Sequence, residues 1–439
     1  MSVPSLQDLL DARLSAAPPG ALRVGLSGGL DSCVLLHALA SLPAARARDI
    51  AALHVDHGLH PDSARWAAQC AEFCAALQLP LQVARVRVER IEEIGLEAAA
   101  RAARHAAFAA HLPGGALLAL AQHRDDQAET MLLRLVHGAG HEGLAGMRVL
   151  RPFGTGQLWR PLLDVDRAQL RDYAEQHRLR WIEDPSNADP RFARNHLRHA
   201  VLPALTARWP DATRRIAQAA ARAREEAELL QQLAREALAQ AQGLDPSTLS
   251  LAALRDQAPA LRRVVVGLWL DQCGLPRPPP GVWARLEPDL LLAGIDATPR
   301  LAWSGGELRR YRDMLYAMAP LAAPATDWAL EWDGGEPLAL PSGFGVLRLE
   351  PRMAIGPWQV RPRRGGERLR QAGAHRELRT LLQDLGIPPW VRERLPLLFD
   401  AAGELLAAAD LALAPTFSQR LRAAGTRLRW APLGVGADI

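Results

Sequence analysis

The chain has 439 residues, 49% hydrophobic and 23% charged, which is enough for two to four globular domains and is not the composition of a disordered chain. Its four cysteines, two of them at the helical spacing of Cys70 and Cys74, argue against a disulfide scaffold, a zinc ribbon or a four-cysteine iron–sulfur site. The net charge is +4 and all 52 basic residues are arginines, so a Walker A P-loop, Schiff-base chemistry and a lysine general base are excluded.

The first 20 residues lack the basic start and apolar core of a secretory signal. No stretch of about 18 uncharged apolar residues occurs anywhere in the chain, so nothing in it should span a membrane. We therefore expect a cytoplasmic protein without a membrane partner, which agrees with the sparse cysteines.

Strand-like and helix-like segments alternate through the first part of the chain. Short apolar runs at 22–26, 50–55, 81–88 and 116–121 are separated by helical patterns at 30–40, 63–79, 97–111 and 126–137, and a further helix is expected at 166–177. This alternation predicts an α/β fold with a Rossmann-like parallel sheet covered on both faces. Ligands of such sheets bind beyond the carboxyl ends of the strands.

The amino-acid composition of the remaining chain changes at two points, near residue 211 and near residue 326. Residues 211–242 are rich in Ala, Arg, Glu and Leu without Gly or Pro, which predicts a long helix that opens a helical middle domain. After residue 326, tryptophans lie among short alternating runs and glycine turns, which favours a small α+β domain with a short helix at 378–385. We therefore expect domains at 1–210, 211–320 and 327–439.

A serine–glycine bend, Ser27-Gly28-Gly29-Leu30-Asp31-Ser32, follows the first strand and opens the first helix of the alternation. Two glycines let the backbone turn tightly and point N–H groups at an anion, and the helix dipole adds positive potential there. Asp31 would repel phosphate unless Mg²⁺ lay between them, because Mg²⁺ accepts carboxylate and phosphate oxygens together. The alternative is an ordinary strand-to-helix turn with a capping aspartate.

Asp126 and Glu129 are three residues apart at the start of a helix, so both carboxylates share one face at the end of the fourth strand. They could hold Mg²⁺, recognise an amino group or accept its proton. Helix capping is the competing interpretation. His123 precedes them and could contact phosphate or the reacting base, or could be a hydrogen-bonded loop residue.

The bend resembles the PP-loop of the N-type ATP pyrophosphatases, and the wider pattern resembles the tRNA(Ile)-lysidine synthetase family within that superfamily. The matching motifs are SGGLDS at 27–32, HVDHGL at 54–59, HRDDQAET at 123–130, RPLL at 160–163, WIEDPSN at 181–187 and RNHLR at 194–198. Near the carboxyl end, RPRRGGER at 361–368 and IPPW at 387–390 resemble the tRNA-binding domain of that family. The family often has a second histidine where Gln122 stands, which leaves the role of that position open.

The resemblance implies a ligase that adenylates the wobble cytidine of a CAU-anticodon tRNA(Ile) with ATP and Mg²⁺ and then attaches free L-lysine at C2. It implies that residues 27–32 and His57 bind ATP, that Asp31 is the metal ligand, and that Asp31, His123, Asp126 and Glu129 are catalytic. It also implies nucleotide or tRNA contacts by a set of polar residues, namely Arg101, Arg104, Asn195, Arg198, Arg363, Arg364 and Arg368.

The residues leave other interpretations open. Arg101 and Arg104 could form a surface salt-bridge row with Glu97, Asn195 could hold a long loop, and Trp390 is better explained by packing behind two prolines than by stacking on RNA. A basic excess after residue 360, 13 arginines against 8 acidic residues, suits RNA but also a solvated face. A tRNA thiolase and a non-catalytic tRNA-binding protein are the alternative functions, but the first usually needs cysteine pairs that this chain lacks.

Overall fold

The computed structural model describes residues 5–185, 189–294, 297–341, 343–371 and 373–432. The motif positions Ser186 and Asn187 lie outside this range. The chain divides into two compact units, Met1–Leu229 and Leu230–Ile439. None of the described helices combines the length and apolar character needed to cross a membrane.

The first unit alternates strands and helices as its sequence predicts. Its elements in chain order are α1 (Leu6–Ala16), β1 (Leu22–Gly25), α2 (Leu30–Ala40), α3 (Pro43–Arg46), β2 (Ala51–Asp56), α4 (Ser63–Ala76), β3 (Leu81–Arg85), α5 (Ile91–Ile94), α6 (Leu96–Ala110), β4 (Leu117–Ala119), α7 (Arg124–Val136), α8 (His141–Leu144), β5 (Leu150–Phe153), β6 (Gly156–Trp159), α9 (Arg167–Gln176), α10 (Ala193–His196), a π-helical turn (Leu197–Val201) and α11 (Leu202–Arg208).

A six-stranded sheet in the order β3-β2-β1-β4-β6-β5 forms the centre of this unit. Its strands are parallel except for β5, which pairs antiparallel with β6. Val24, Leu35 and Leu170 belong to the core on one face, and Phe108 and Leu118 belong to the core on the other. The predicted parallel sheet with both faces covered is therefore confirmed.

The hairpin of β5 and β6 was missed by the sequence analysis. Pro152 interrupts β5, and a proline inside an apolar run argues against a strand unless that strand lies at a sheet edge. The sheet order places β5 at the edge, where the missing N–H has no neighbouring strand to serve.

The long helix α12 (Ala212–Ala241) confirms the predicted helix and runs across the division between the two units. The second unit continues with β7 (Thr248–Ser250), α13 (Leu251–Arg255), α14 (Pro259–Gln272), α15 (Pro280–Trp283), a π-helical turn (Leu286–Leu291), β8 (Arg300–Trp303), β9 (Gly306–Tyr311), β10 (Met314–Met318), β11 (Leu330–Trp332), β12 (Leu338–Ala339), β13 (Val346–Glu350), β14 (Trp358–Arg361), β15 (Arg368–Gln371), β16 (Ala374–Glu377), α16 (Leu378–Asp384), α17 (Pro389–Arg392), β17 (Leu397–Phe399), β18 (Leu405–Ala408), β19 (Ala412–Leu413), α18 (Pro415–Ala423) and β20 (Arg427–Ala431).

The middle region holds the expected helices and also an antiparallel sheet in the order β7-β10-β9-β8. The sequence analysis missed this sheet because β9 carries Glu307 and Arg310, which are charged yet buried and so hide the alternation of a strand. Glu307 is fully buried and is paired with Arg300 and Arg309, at 2.7 Å each. Burial of this charge is tolerated because both its partners are in place.

The carboxyl-terminal part is built of small sheets around an apolar core, as the alternating runs predict. Trp390 is 3% exposed and packs edge-on against Tyr311 and Tyr316. The packing interpretation of Trp390 is therefore confirmed, since a buried indole cannot stack on RNA. The three-domain partition at 1–210, 211–320 and 327–439 stays a prediction.

Candidate active site

The serine–glycine bend lies between β1 and α2, at the carboxyl edge of the parallel sheet. Gly29 is the N-cap of α2, and no side chain caps this end of the helix. The N–H groups of the first helical turn, which begins at Leu30, consequently face outward without a side-chain acceptor. Together with the helix dipole they form an anion-binding end directly beyond the first strand.

The hydroxyls of the bend hold it in shape. Ser32 Oγ donates to the Gly29 carbonyl at 2.9 Å and accepts from the Ser27 N–H at 3.2 Å, and the two serine hydroxyls are 3.1 Å apart. A hydroxyl has a single proton to donate, and the proton of Ser32 is used inside the bend. Ser32 therefore braces the bend in this conformation. The Ser27 and Gly29 N–H groups donate to serine hydroxyls, so the N–H groups that remain for an anion are those at the start of α2.

Gly28 has a positive φ and is packed against neighbouring side chains, and both features favour glycine at this position. Its φ is +85°, and a Cβ at this position would lie 2.3 Å from Ile182 Cδ1 and 3.1 Å from Cys70 Sγ. The Ile182 N–H also donates to the Gly28 carbonyl at 2.8 Å. The 181–182 segment therefore packs directly on the bend. Beneath it, His54 Nδ1 is 2.8 Å from the Leu26 carbonyl, a support that sequence reasoning did not find.

Asp31 points from the first turn of α2 toward two cationic side chains. Its Oδ2 is 3.6 Å from His123 Nε2 and its Oδ1 is 3.8 Å from Arg167 Nε. Burial raises the pKa of Asp31, but the hydrogen bond and charge of His123, with the charges of Arg167 and Arg198, outweigh it, so the pKa lies below its usual value. Asp31 is therefore a carboxylate at neutral pH.

His123, directly before α7, is 1% exposed and surrounded by carboxylates. Its ring nitrogens lie 3.6 Å from Asp31, 3.7 Å from Asp125 and 3.5 Å from Asp126. Burial lowers the pKa of His123, but the interaction of its ring N–H with the Asp31 carboxylate and the charges of the three carboxylates raise it by more, so the pKa lies above its usual value of 6.5. The imidazolium is thus favoured in this pocket.

Asp126 and Glu129 share a face of α7, as predicted, and both contact Arg198. The guanidinium of Arg198 donates to Glu129 at 2.7 and 3.0 Å and to Asp126 at 3.1 Å. Arg194 Nε lies 3.2 Å from Glu129 as well. Glu129 is fully buried, and burial raises its pKa, although the hydrogen bond from Arg198 lowers it. Its carboxylate is therefore held by arginines, whereas the Asp126 side chain keeps 15% exposure.

The other site residues predicted in the first unit differ in burial and in hydrogen bonding. Arg101 and Arg104 lie half-buried on α6, and within the part of the chain that the structure describes neither makes a hydrogen bond or an ion pair. Burial and the charge of Arg104 lower the pKa of His57, which keeps that imidazole neutral. Asn195 is buried and donates to the Asp189 carbonyl at 3.0 Å, so it fixes its loop.

Three expected arginines of the carboxyl-terminal part surround a glycine turn ordered by Glu367, whose Oε1 accepts the Arg364 and Gly365 N–H groups. Arg363 lies 3.6 Å from the Glu367 carboxylate, and Arg368 donates to the His375 carbonyl. Arg364 and Arg368 line an open groove of about 410 Å³ together with Arg361, Phe399 and Glu404, whereas Arg363 is not part of its lining.

One feature of the carboxylates near the bend suits Mg²⁺, namely the free oxygen of Asp31. Oδ1 of Asp31 is buried without a hydrogen-bond partner, as a carboxylate oxygen meant for an incoming cation would be. Among the described residues, no group of three or more His, Cys, Asp or Glu side chains could hold a metal by itself. A magnesium ion here would be held by Asp31 together with the phosphates of a nucleotide, which is how this ion is usually bound.

Sequence reasoning missed two members of the cluster, Asp125 and Arg167. Asp125 is adjacent to Asp126, which was predicted. Asp125 faces Nδ1 of His123 whereas Asp126 faces Nε2, and this placement depends on α7 beginning at Arg124. Arg167 lies 136 positions beyond Asp31, in a segment for which only a helix was predicted. Only the packing of α9 against α2 brings it to the bend.

Comparison with known proteins agrees with this geometry. Family models match residues 4–205 as a PP-loop domain, 249–316 as a TilS substrate binding domain and 358–430 as a TilS substrate C-terminal domain. The chain is 47% identical to the tRNA(Ile)-lysidine synthase of Xanthomonas axonopodis pv. citri, over 95% of each chain. It is 47% identical to that of Xylella fastidiosa, over 93% of this chain and 94% of the relative, and 43% identical to that of Pseudomonas aeruginosa, over 98% of each.

The chain belongs to the tRNA(Ile)-lysidine synthase family. The resemblance inferred from the motifs is thereby confirmed, and the PP-loop domain implies the use of ATP. A structural match to the U34-tRNA thiolase NcsA of Methanococcus maripaludis is weak, with a TM-score of 0.42 and 16% identity over 50% of this chain and 77% of that one.

We expect Gly28→Ala to destabilise this lysidine synthase family member more than Gly95→Ala. Both positions have a φ above +80°, so each alanine should lose about 1–2 kcal/mol to backbone strain, but only Gly28 is crowded and should lose about 1 kcal/mol more. Urea unfolding measures both. A double-mutant cycle with Ile182→Ala should recover the difference, and equal losses at the two glycines would contradict the packing described here.

His123 should contribute stability that depends on pH. Because its folded pKa lies above 6.5, the contribution is fully present below about pH 6.5 and is lost as the pH rises through the folded value. The free energy of unfolding of the wild type minus that of His123→Gln should therefore fall as the pH rises above about 6.5. The depressed pKa of Asp31 acts only at lower pH and does not enter this window. A difference that is constant with pH would show that His123 is neutral in the fold.

Proposed function

We propose that this chain ligates L-lysine to C2 of the wobble cytidine of a CAU-anticodon tRNA(Ile), converting ATP to AMP and pyrophosphate. The base would be adenylated first and the lysine amine would then displace AMP, so that the tRNA decodes isoleucine instead of methionine codons. The observation that carries this proposal is the anion-binding bend placed beside the Asp126 and Glu129 pair, of which Asp126 is partly open, in a chain of the tRNA(Ile)-lysidine synthase family.

The first step needs a poor oxygen nucleophile to attack the α-phosphate. The backbone N–H groups of the bend would hold the phosphates, and Gly28 and Gly29 would let them approach the backbone closely. Mg²⁺, held by Asp31 and the phosphates, would neutralise phosphate charge. His123, kept charged by its three carboxylates, would add positive potential beside the leaving pyrophosphate. His57 stays neutral and would contact the nucleotide as a hydrogen-bonding group.

The second step needs a neutral lysine amine. Asp126 is the member of the predicted pair that keeps exposure, so it would bind the ammonium group and accept its proton. Glu129 is fully buried under Arg198 and Arg194, so its role would be to position Arg198 and through it Asp126. Both carboxylates thus serve the reaction, one by contact and the other by orientation.

The tRNA would be held by arginines in both units. Arg101 and Arg104 lack protein partners in the described structure and are suited to phosphates of the nucleotide or the RNA. In the carboxyl-terminal part, Arg364 and Arg368 line an open groove in which a sugar–phosphate backbone could lie, and Arg363 would contact the RNA from beside the same glycine turn. Asn195 and Arg198 would act from within the protein, by closing the loop and by holding the carboxylates.

The thiolase alternative is not favoured. Burial raises the pKa of Cys33 and Cys70 to about 12 and that of Cys74 to about 11. Thiols with such values stay protonated at neutral pH and do not carry sulfur as thiolates. Among the described residues, no cysteine group with metal-binding geometry is present.

The decisive experiment is incubation with labelled lysine, ATP and CAU-anticodon tRNA(Ile), followed by nucleoside analysis. We expect labelled lysidine, with AMP and pyrophosphate in equal amounts, and no labelling of a tRNA whose wobble cytidine is replaced by uridine. Asp31→Ala should abolish pyrophosphate release and keep tRNA affinity. Binding of tRNA by the wild type without formation of AMP would favour the non-catalytic alternative, and unchanged pyrophosphate release by the variant would remove Asp31 from the mechanism.

Asp126→Asn and Glu129→Gln should separate the two carboxylates. Loss of a general base lowers a rate by about 10²–10⁴-fold, so Asp126→Asn should slow lysine transfer by this order and raise the KM for lysine. Glu129→Gln should lower the free energy of unfolding by about 1–3 kcal/mol, because it breaks a buried charged hydrogen bond to Arg198. Transfer of labelled lysine at varied lysine concentration measures the first effect, and urea unfolding measures the second. Pyrophosphate release without lysine is the control that adenylation is intact in both variants. A stable Glu129→Gln variant that alone loses lysine affinity would reverse the assignment.

A further inference from the structure

Arg167 is a cation at the bend for which the proposed function has no role. Its Nε lies 3.8 Å from Asp31 Oδ1, which is beyond hydrogen-bond distance, and the side chain is 39% exposed. Within the described ranges its guanidinium makes no hydrogen bond and no closer ion pair. Asp31 Oδ1, the atom it faces, is itself buried without a hydrogen-bond partner.

The other cations near Asp31 are already committed to protein groups. Arg198 donates three hydrogen bonds to Asp126 and Glu129. His123 is almost fully buried between its carboxylates. In the described structure, Arg167 is thus the cation beside Asp31 whose donors remain available.

The backbone that carries Arg167 is fixed relative to the bend. Arg167 is the first residue of α9, whose cap Asp166 accepts from the Ala168 N–H at 3.1 Å. Further along α9, the Tyr173 hydroxyl lies 3.0 Å from Nδ1 of His37 on α2, the helix that begins at the bend. Both Leu170 and Tyr173 are buried in the same core as α2. Only the side chain of Arg167 therefore needs to move to meet a ligand.

We propose that Arg167 binds the β- and γ-phosphates of the nucleotide held at the bend, and the pyrophosphate that leaves. This inference rests on the proposed function for the presence of ATP at the bend. A divalent cation shared by Asp31 and the phosphates would replace Arg167 as the partner of Asp31, because two cations compete for one carboxylate. The released guanidinium would then lie next to the same phosphates, where its planar fork can donate two parallel hydrogen bonds.

The bond that breaks in adenylation gives the reason for the β- and γ-phosphates. The electron pair of the α–β bridging bond goes to the leaving pyrophosphate, so negative charge grows there while the α-phosphate receives the cytidine oxygen. A fixed guanidinium near the leaving group stabilises that charge and leaves the α-phosphate open to the nucleophile. Arg167 would therefore lower the KM for ATP and speed pyrophosphate release, without touching lysine.

Calorimetric titration with ATP, AMP and inorganic pyrophosphate, each with Mg²⁺, tests this role in the full chain. Arg167→Gln should weaken binding of ATP and pyrophosphate about 10- to 100-fold, the loss expected for hydrogen bonds to a charged group, and should leave AMP binding unchanged. Arg167→Lys should recover part of the loss, since it keeps the charge but not the fork. Arg171→Gln is the matched control, because Arg171 is exposed one turn further along α9.

The outcomes separate this inference from the proposed function. If the wild type binds ATP more tightly than AMP and Arg167→Gln preserves that ratio, the role of Arg167 is overturned and the proposed function stands. If Arg167→Gln weakens ATP and AMP equally, the effect is a general disturbance of the bend, and the assignment to the β- and γ-phosphates is wrong. If the wild type binds no ATP, both fail. Thermal unfolding of each variant checks that α9 remains in place.

Discussion

The interaction on which the site depends is the buried ion network in which Arg198 holds Glu129 and Asp126 while His123 lies between Asp126 and Asp31. Buried charges are tolerated only when each has a partner, and removing one partner of such a pair costs about 3–5 kcal/mol. The members therefore fix one another. This network keeps the open edge of Asp126 and the carboxylate of Asp31 in position before any substrate arrives, so little reorganisation remains for the reaction.

The bend offers backbone groups to an anion, whereas the ion network offers side chains that can titrate. Ser32 uses its hydroxyl proton inside the bend, and Ile182 closes over Gly28, so the groups left to face an anion are backbone N–H groups at the start of α2. Backbone donors cannot titrate and hardly move. The side chains of the network supply the groups that can, namely a carboxylate of depressed pKa and a histidine of raised pKa.

The absence of lysine from the chain limits which side chains can accept a proton in this site. All permanent cations are guanidinia, which stay protonated at any physiological pH, so proton acceptors must be sought among carboxylates and imidazoles. In the proposed reaction the substrate would be the only lysine ε-amine at the site. Among the described guanidinia still available to phosphate are Arg101 and Arg104, which are half-buried without described partners, and Arg167, which lies near Asp31 without a hydrogen bond.

Local patterns in the sequence were sufficient for the parallel sheet, the long helix α12 and the bend, because apolar runs, helical periodicity and Ser-Gly-Gly at a strand end each act over a few residues. The shared face of Asp126 and Glu129 also follows from spacing alone. Spacing could not predict which of the two carboxylates is accessible, because burial of Glu129 depends on Arg198, 69 positions later. For the same reason Arg167 entered the site only through the packing of α9 on α2, and the sheet containing β9 was hidden because Glu307 and Arg310 are buried charges. Tertiary structure decided these features because they depend on partners that are distant in the chain, for which a local pattern carries no signal.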